Sequence, residues 1–91
     1  MRKYILTRRF EKSLTDLPAD IARLFEKKLG LFLEDIFHPS FRAKKIAGTK
    51  NPDIWEASLT MDYRFTFQID KDGVLIFRNI GKHSILERKK V

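Results

Sequence analysis

Residues 54–83 read IWEASLTMDYRFTFQIDKDGVLIFRNIGKH. Three short apolar runs are separated by turn residues, and this spacing decides the fold. Along residues 63–69, Tyr63, Phe65, Phe67 and Ile69 alternate with Arg64, Thr66 and Gln68, the period of two that marks a strand with one buried face. Along residues 55–59, Trp55, Ala57 and Leu59 alternate with Glu56 and Ser58 in the same way. Thr60-Met61-Asp62 can turn between these two runs. Lys71-Asp72-Gly73 is a hairpin signal, because Asp-Gly tolerates positive φ. Residues 74–80 are nearly all apolar and predict a central strand buried on both faces, interrupted by Arg78 and ended by Gly81.

Working outward toward the N-terminus, residues 3–7 (KYILT) predict a short strand. Thr7 is placed to cap a helix over residues 8–17, on which Phe10, Leu14 and Leu17 share a face. Pro18 interrupts that helix and suits the first turn of another. In the second helix Ile21, Leu24, Phe25, Leu29, Phe32, Leu33 and Ile36 keep the 3.6 period, with Gly30 inside it as a site of close packing. His38-Pro39-Ser40 ends this helix, and His38 is read as structural. Residues 41–54 are basic and turn-rich. They predict a strand at residues 43–46, then a loop through Gly48 and Asn51-Pro52. The resulting order is one strand, two helices and four strands. It predicts an α+β fold with two N-terminal helices on one face of a small, twisted, mainly antiparallel sheet whose other face is partly open.

Composition narrows the chemistry. The 91 residues form one small domain, 1–91, and contain no cysteine, which excludes disulfides and thiolate sites. No apolar run approaches the roughly 20 residues of a membrane span, and no signal-peptide core is present, so a cytoplasmic protein is expected. Nineteen Lys and Arg against twelve Asp and Glu give a net charge of +7. Such a field steers polyanions, either nucleic acid or an acidic protein. No metal cluster, Ser-His-Asp pattern or glycine-rich phosphate loop is evident, and no cofactor is expected.

The strand register places Arg64, Thr66 and Gln68 on the face away from the helices, beside Glu56 and Ser58, with His83 just past the last strand. Cleavage of RNA by its own 2′-OH requires a proton acceptor, a proton donor and a cation for the charged transition state. Arg64 suits the cation role, His83 suits proton transfer, and Glu56 or Asp62 could act as base or orient His83. Lys44, Lys45, Lys50, Arg78 and Lys82 are the candidate contacts to RNA backbone. Each residue also has a plainer reading. Arg64 could form a surface ion pair with Glu56, Arg78 could snorkel from a strand end, His83 could be a turn residue, and Lys44 and Lys45 could be a solvated edge.

Three motifs then resemble the RelE/ParE superfamily of bacterial toxins from type II toxin–antitoxin modules. They are Lys45-Ile46-Ala47-Gly48-Thr49 leading to Trp55, the run from Asp62 to Ile69, and Ile80-Gly81-Lys82-His83. The resemblance spans essentially the whole chain. It implies the same two-helix, curved-sheet fold. For RelE-like members it implies metal-independent cleavage of mRNA, often on the ribosome, leaving a 2′,3′-cyclic phosphate. It matches Arg64 to the arginine on the scissile phosphate, His83 to a proton donor or charge stabiliser, Asp62 to a neighbouring acid, and Lys44 and Lys45 to a basic RNA-holding region. It also implies a cognate antitoxin, disordered when free, in a hetero-oligomer. The chain departs from RelE in carrying Glu56 and Ser58 where RelE has lysines, and in having no tyrosine in residues 85–91. ParE-like members share the fold, lack the nuclease set and inhibit DNA gyrase.

Overall fold

The structure, a computed structural model, describes residues 2–47, 53–87 and 90–91. The predicted turn through Gly48 and Asn51-Pro52, and Lys50 with it, lies outside the described residues. Strand β1 (Tyr4–Leu6) leads into helix α1 (Arg8–Thr15) and helix α2 (Ala19–Glu34), then a 3₁₀ turn (Pro39–Phe41). Strands β2 (Lys44–Lys45), β3 (Ile54–Ser58), β4 (Tyr63–Ile69) and β5 (Leu75–Lys82) follow, and a second 3₁₀ turn (His83–Leu86) closes the order. The sheet runs β1-β5-β4-β3-β2, with β1 parallel to β5 and every other pairing antiparallel.

Local chemistry sets the boundaries. Thr7 Oγ1 accepts from the Phe10 N–H at 3.2 Å and donates to the Phe77 carbonyl at 2.8 Å, so one residue caps α1 and ties it to β5. The helix stops at Thr15 rather than 17, because the residue before a proline is pushed out of helical backbone. Pro18 occupies the cap position of α2, and its carbonyl accepts from Ile21 and Ala22. The β4–β5 hairpin turns on Asp70, whose Oδ1 accepts from the Asp72 and Val74 amides at 2.9 Å, and on Gly73 at φ +82°.

The core is aromatic. Phe10, Phe25, Phe32, Phe41, Phe65, Phe67 and Phe77 are buried in one cluster between the helices and the sheet. Phe32 is the hub: its ring centroid lies 4.9 Å from Phe65, 5.0 Å from Phe41 and 5.1 Å from Phe67, edge-on in each case, the geometry that aromatic quadrupoles favour.

Gly30 does not serve close packing. It is exposed, and nothing lies within 4 Å of where its Cβ would stand. Gly30→Ala is therefore expected to raise stability by about 1 kcal/mol through helix propensity alone. Urea unfolding followed by circular dichroism measures this as a shift of the midpoint to higher urea.

Two further expectations are corrected. Residues 74–80 are not a strand buried continuously on both faces. Thr66 opposes Asn79 while Phe67 opposes Phe77, which leaves Arg78 as the extra residue of a β-bulge. The bulge lets Leu75, Phe77 and Ile80 all enter the core, and Ile76 and Arg78 stay half-buried. Gly81 does not end the strand either. It pairs with Arg64, and Lys82 pairs with Tyr63.

The second correction concerns the face away from the helices, which is not a free polar surface. Thr66 and Asn79 are buried. The second 3₁₀ turn packs against β4 and β5, and Ile85 is buried there, so close that a Cβ on Gly81 would lie 2.8 Å from Ile85 Cγ2. Asn79 Nδ2 donates to the Lys90 carbonyl at 2.6 Å, and Arg9 donates to the main-chain oxygens of Lys90 and Val91. Residues 90–91 thus lie against the body of the fold.

Candidate functional site

Arg64 projects from β4 on the side opposite Phe65 and Phe67, flanked in register by Ser58 of β3 and Gly81 of β5. Ile85 fills the space over Gly81, and the guanidinium lies on the other side, over β3. Its Nη1 donates to Ser58 Oγ and, at 3.4 Å, to the Thr60 carbonyl. Its Nε is buried without a hydrogen-bond partner. The ion pair with Glu56 does not form, and no ion pair joins Arg64 to an acid among the described residues.

The guanidinium opens into a cleft of about 150 Å³ between the first 3₁₀ turn and the β3–β4 hairpin, lined by Ser40, Arg42, Ser58, Leu59, Thr60, Met61 and Arg64. Arg42 caps the turn in the left-handed region, at φ 48° and ψ 43°. That conformation costs a residue with a β-carbon roughly 1–2 kcal/mol. Phe41, buried against Phe32, and the Arg42 N–H bond to the Pro39 carbonyl at 3.3 Å hold it there.

The other sequence candidates are distributed around this cleft. Glu56 is half-buried two residues before Ser58, on the same side of β3 and opposite Thr66. Asp62 is exposed in the hairpin turn, and its N–H donates to Thr60 Oγ1 at 3.2 Å. His83 is exposed at the start of the second 3₁₀ turn. It reaches the same end of the sheet as the Thr60–Asp62 turn, because β5 ends where β4 begins, but it lies across β4 from the side to which Arg64 turns. The register therefore gathers Arg64, Ser58 and Glu56 and leaves Asp62 and His83 at the rim.

The backbone-contact candidates separate further. Lys44 and Lys45 are exposed on the edge strand, where Lys45 Nζ sits 5.6 Å from the centre of the Trp55 ring. Lys82 is exposed at the end of β5. Arg78 does not snorkel from a strand end. It is the mid-strand bulge, and its Nη1 donates to Gln68 Oε1, four residues along β4 from Arg64, or about 13 Å. Burial, and then the charge of Arg9, holds the Arg78 guanidinium below its ordinary pKa.

Ser40 was not singled out from the sequence, and Arg42 was read only as part of the basic segment that flanks β3. Their signal is not local: Arg42 reaches the cleft only because Phe41 anchors the turn in the core. Among the described residues, no group of three or more His, Asp or Glu side chains is placed to hold a metal ion, and no helix is long and apolar enough to cross a membrane.

A family model described as ParE toxin of type II toxin–antitoxin system, parDE, matches residues 4–86. The chain belongs to this family of toxins. No curated protein sequence matches this ParE-family toxin. Among solved structures, the archaeal RelE–RelB complex from Pyrococcus horikoshii is similar at a TM-score of 0.71 and 23% identity, over 89% of this chain and 93% of that one. The E. coli DinJ–YafQ toxin–antitoxin complex is similar at 0.75 and 13% identity, over 94% and 97%. A mutant of E. coli toxin RelE in the free state is similar at 0.68 and 23% identity, over 96% and 92%. At these identities the likeness is one of fold. The ParE-family toxin has the expected architecture, two helices packed on a mostly antiparallel open sheet, here of five strands.

Proposed function

We infer that this toxin is an mRNA endoribonuclease that arrests translation in the cytoplasm. The observation that carries this reading is Arg64, held through its Nη1 by Ser58, at a cleft lined by hydroxyls and a second arginine. This is a set of donors matched to a phosphate. In the proposed step the 2′ oxygen attacks phosphorus as its proton passes to a base. The P–O5′ bond breaks, and the leaving 5′ oxygen takes a proton from an acid. The products are a 2′,3′-cyclic phosphate and a 5′-OH. Arg64 stabilises the extra charge on the phosphorane, and Glu56, the carboxylate on its side of the sheet, is the base. His83, reached across β4, is the acid, and Asp62 adjoins it at the rim. Lys44, Lys45 and Lys82 hold flanking backbone. RelE, whose relatives the sequence motifs resemble, shares the fold, which supports the choice. A cognate antitoxin is the expected partner, since RelE–RelB and DinJ–YafQ are toxin–antitoxin complexes.

Incubating the purified toxin with a messenger RNA, alone and with ribosomes, tests this. New 5′ ends that accept phosphate from a kinase without prior dephosphorylation, paired with cyclic 3′ ends, are expected. Intact RNA in both conditions contradicts it. A second reading, inhibition of DNA gyrase without catalysis, is favoured by the separation of His83 from the Arg64 head and by the match to the ParE family model. Loss of supercoiling in a gyrase assay with RNA left intact would select it.

A further inference from the structure

Lys90 and Val91 are held on the face away from the helices by donors that grip main chain alone. Arg9 Nη1 donates to the Val91 oxygen at 3.1 Å. Arg9 Nη2 and Asn79 Nδ2 both donate to the Lys90 carbonyl, the second at 2.6 Å. Asn79 is oriented for this contact: its Oδ1 accepts from Ser13 Oγ at 2.6 Å and from the Ile80 N–H at 2.9 Å, which turns its amide nitrogen toward Lys90. Asn79 and Val91 are both buried.

This contact stands in the way of a longer substrate. Thr66 lies two residues from Arg64 on the same side of β4, in register between Glu56 of β3 and Asn79 of β5. An RNA strand that crosses the sheet from Arg64 and Glu56 toward β1 meets the Lys90 carbonyl at Asn79. Beyond it stand two guanidiniums close enough for the charge of Arg9 to bear on Arg78. No ion pair joins either to an acidic side chain among the described residues. Both are satisfied by neutral oxygens instead, Arg9 by main chain and Arg78 by Gln68 Oε1. A neutral oxygen is a weaker partner for a guanidinium than an anionic one.

The grip is also shallow. Ordering residues 90–91 costs the backbone freedom of two residues, offset by one buried valine and the main-chain bonds. The pair between Lys90 and Glu87, 3.6 Å apart and solvent-exposed on both sides, adds little.

We propose that residues 90–91 are an autoinhibitory strap, which closes Arg9 and Asn79 off from RNA and whose release lengthens the binding surface beyond the Arg64 cleft. The proposal rests on the nuclease reading for the identity of the substrate, and its test reads the strap and the RNA separately. Val91→Asn places an amide in the buried position and leaves Arg9 and Asn79 in place. Release is read in NMR spectra as movement of the Asn79 side-chain amide signals. Binding is read by anisotropy of a short, labelled 2′-O-methyl RNA oligonucleotide, which lacks the attacking hydroxyl, at several salt concentrations.

Val91→Asn should move the Asn79 signals and bind several-fold more tightly, with a salt slope steeper by about 0.7, one more phosphate contact on a single strand. Arg9→Ala should cancel that gain in Val91→Asn and should not weaken binding in the parent, where the strap already occupies the guanidinium. Moved signals with parent affinity and slope overturn the proposal, as does weaker binding on Arg9→Ala in the parent, or an absence of oligonucleotide binding by every variant. Unmoved signals in Val91→Asn overturn it too, since Val91 is then no anchor. A poly-glutamate peptide that gains affinity in Val91→Asn while the oligonucleotide does not also overturns it, in favour of an acidic protein segment. Strap-dependent oligonucleotide binding in a toxin that cleaves no RNA keeps the strap and removes the nuclease reading.

Discussion

Arg64→Ala should slow RNA cleavage by roughly 10²–10³-fold, the usual cost of removing one donor from a preorganised transition-state anion site. The reason lies in the position of the side chain. The guanidinium is already bonded to Ser58 Oγ and the Thr60 carbonyl before any substrate arrives, so little reorganisation accompanies the reaction. Arg64→Lys should recover only part of the rate, because an ammonium has no fork for two phosphate oxygens. Single-turnover cleavage at saturating enzyme separates this loss from weakened binding. A thermal midpoint close to the parent's assigns it to chemistry.

Phe32→Ala should act through stability. The ring meets Phe41, Phe65, Phe67 and Phe77, with centroid distances from 4.9 to 6.0 Å, and joins α2 to the first 3₁₀ turn, β4 and β5 at once. Truncating a buried phenylalanine costs about 3–5 kcal/mol, a large share of the roughly 5–14 kcal/mol available to a domain of this length. Urea unfolding should show the midpoint falling by about half or the transition disappearing. Because Phe41 rests on Phe32, the turn carrying Arg42 should loosen as well, so any surviving fold should bind RNA poorly. A loss below ~1 kcal/mol would mean that the aromatic cluster repacks around the gap, and Phe32 would not be its hub.

The parts of the fold that were legible in the sequence are those set by local period and turn chemistry. The alternation over Tyr63, Phe65, Phe67 and Ile69 gave β4 and the face on which Arg64 stands, and Asp72-Gly73 gave the hairpin after it. Thr7 as a cap and the apolar stripe of α2 could be read in the same way. What escaped depends on pairing between distant residues. The bulge at Arg78 becomes visible only when β5 is laid against β4, since Ile76, Phe77 and Ile80 look uniformly apolar in one dimension.

The burial of Thr66 and Asn79 was equally out of reach. It arises from Ile85 and Lys90 folding back onto the sheet, a contact that no local spacing encodes. The candidate site divides along the same line. Arg64 and Glu56 follow from strand parity, whereas Arg42 enters because Phe41 is sequestered by Phe32, a contact that no local spacing encodes.

The most direct measurement is induced expression of the toxin without an antitoxin, with transcript 5′ ends mapped by primer extension beside the Arg64→Ala variant. Growth arrest with new 5′ ends inside coding regions, both absent in the variant, is the expected result. Growth arrest with intact transcripts in the parent would contradict the nuclease, and unchanged cleavage in Arg64→Ala would return Arg64 to the role of an arginine bonded to its neighbouring strand.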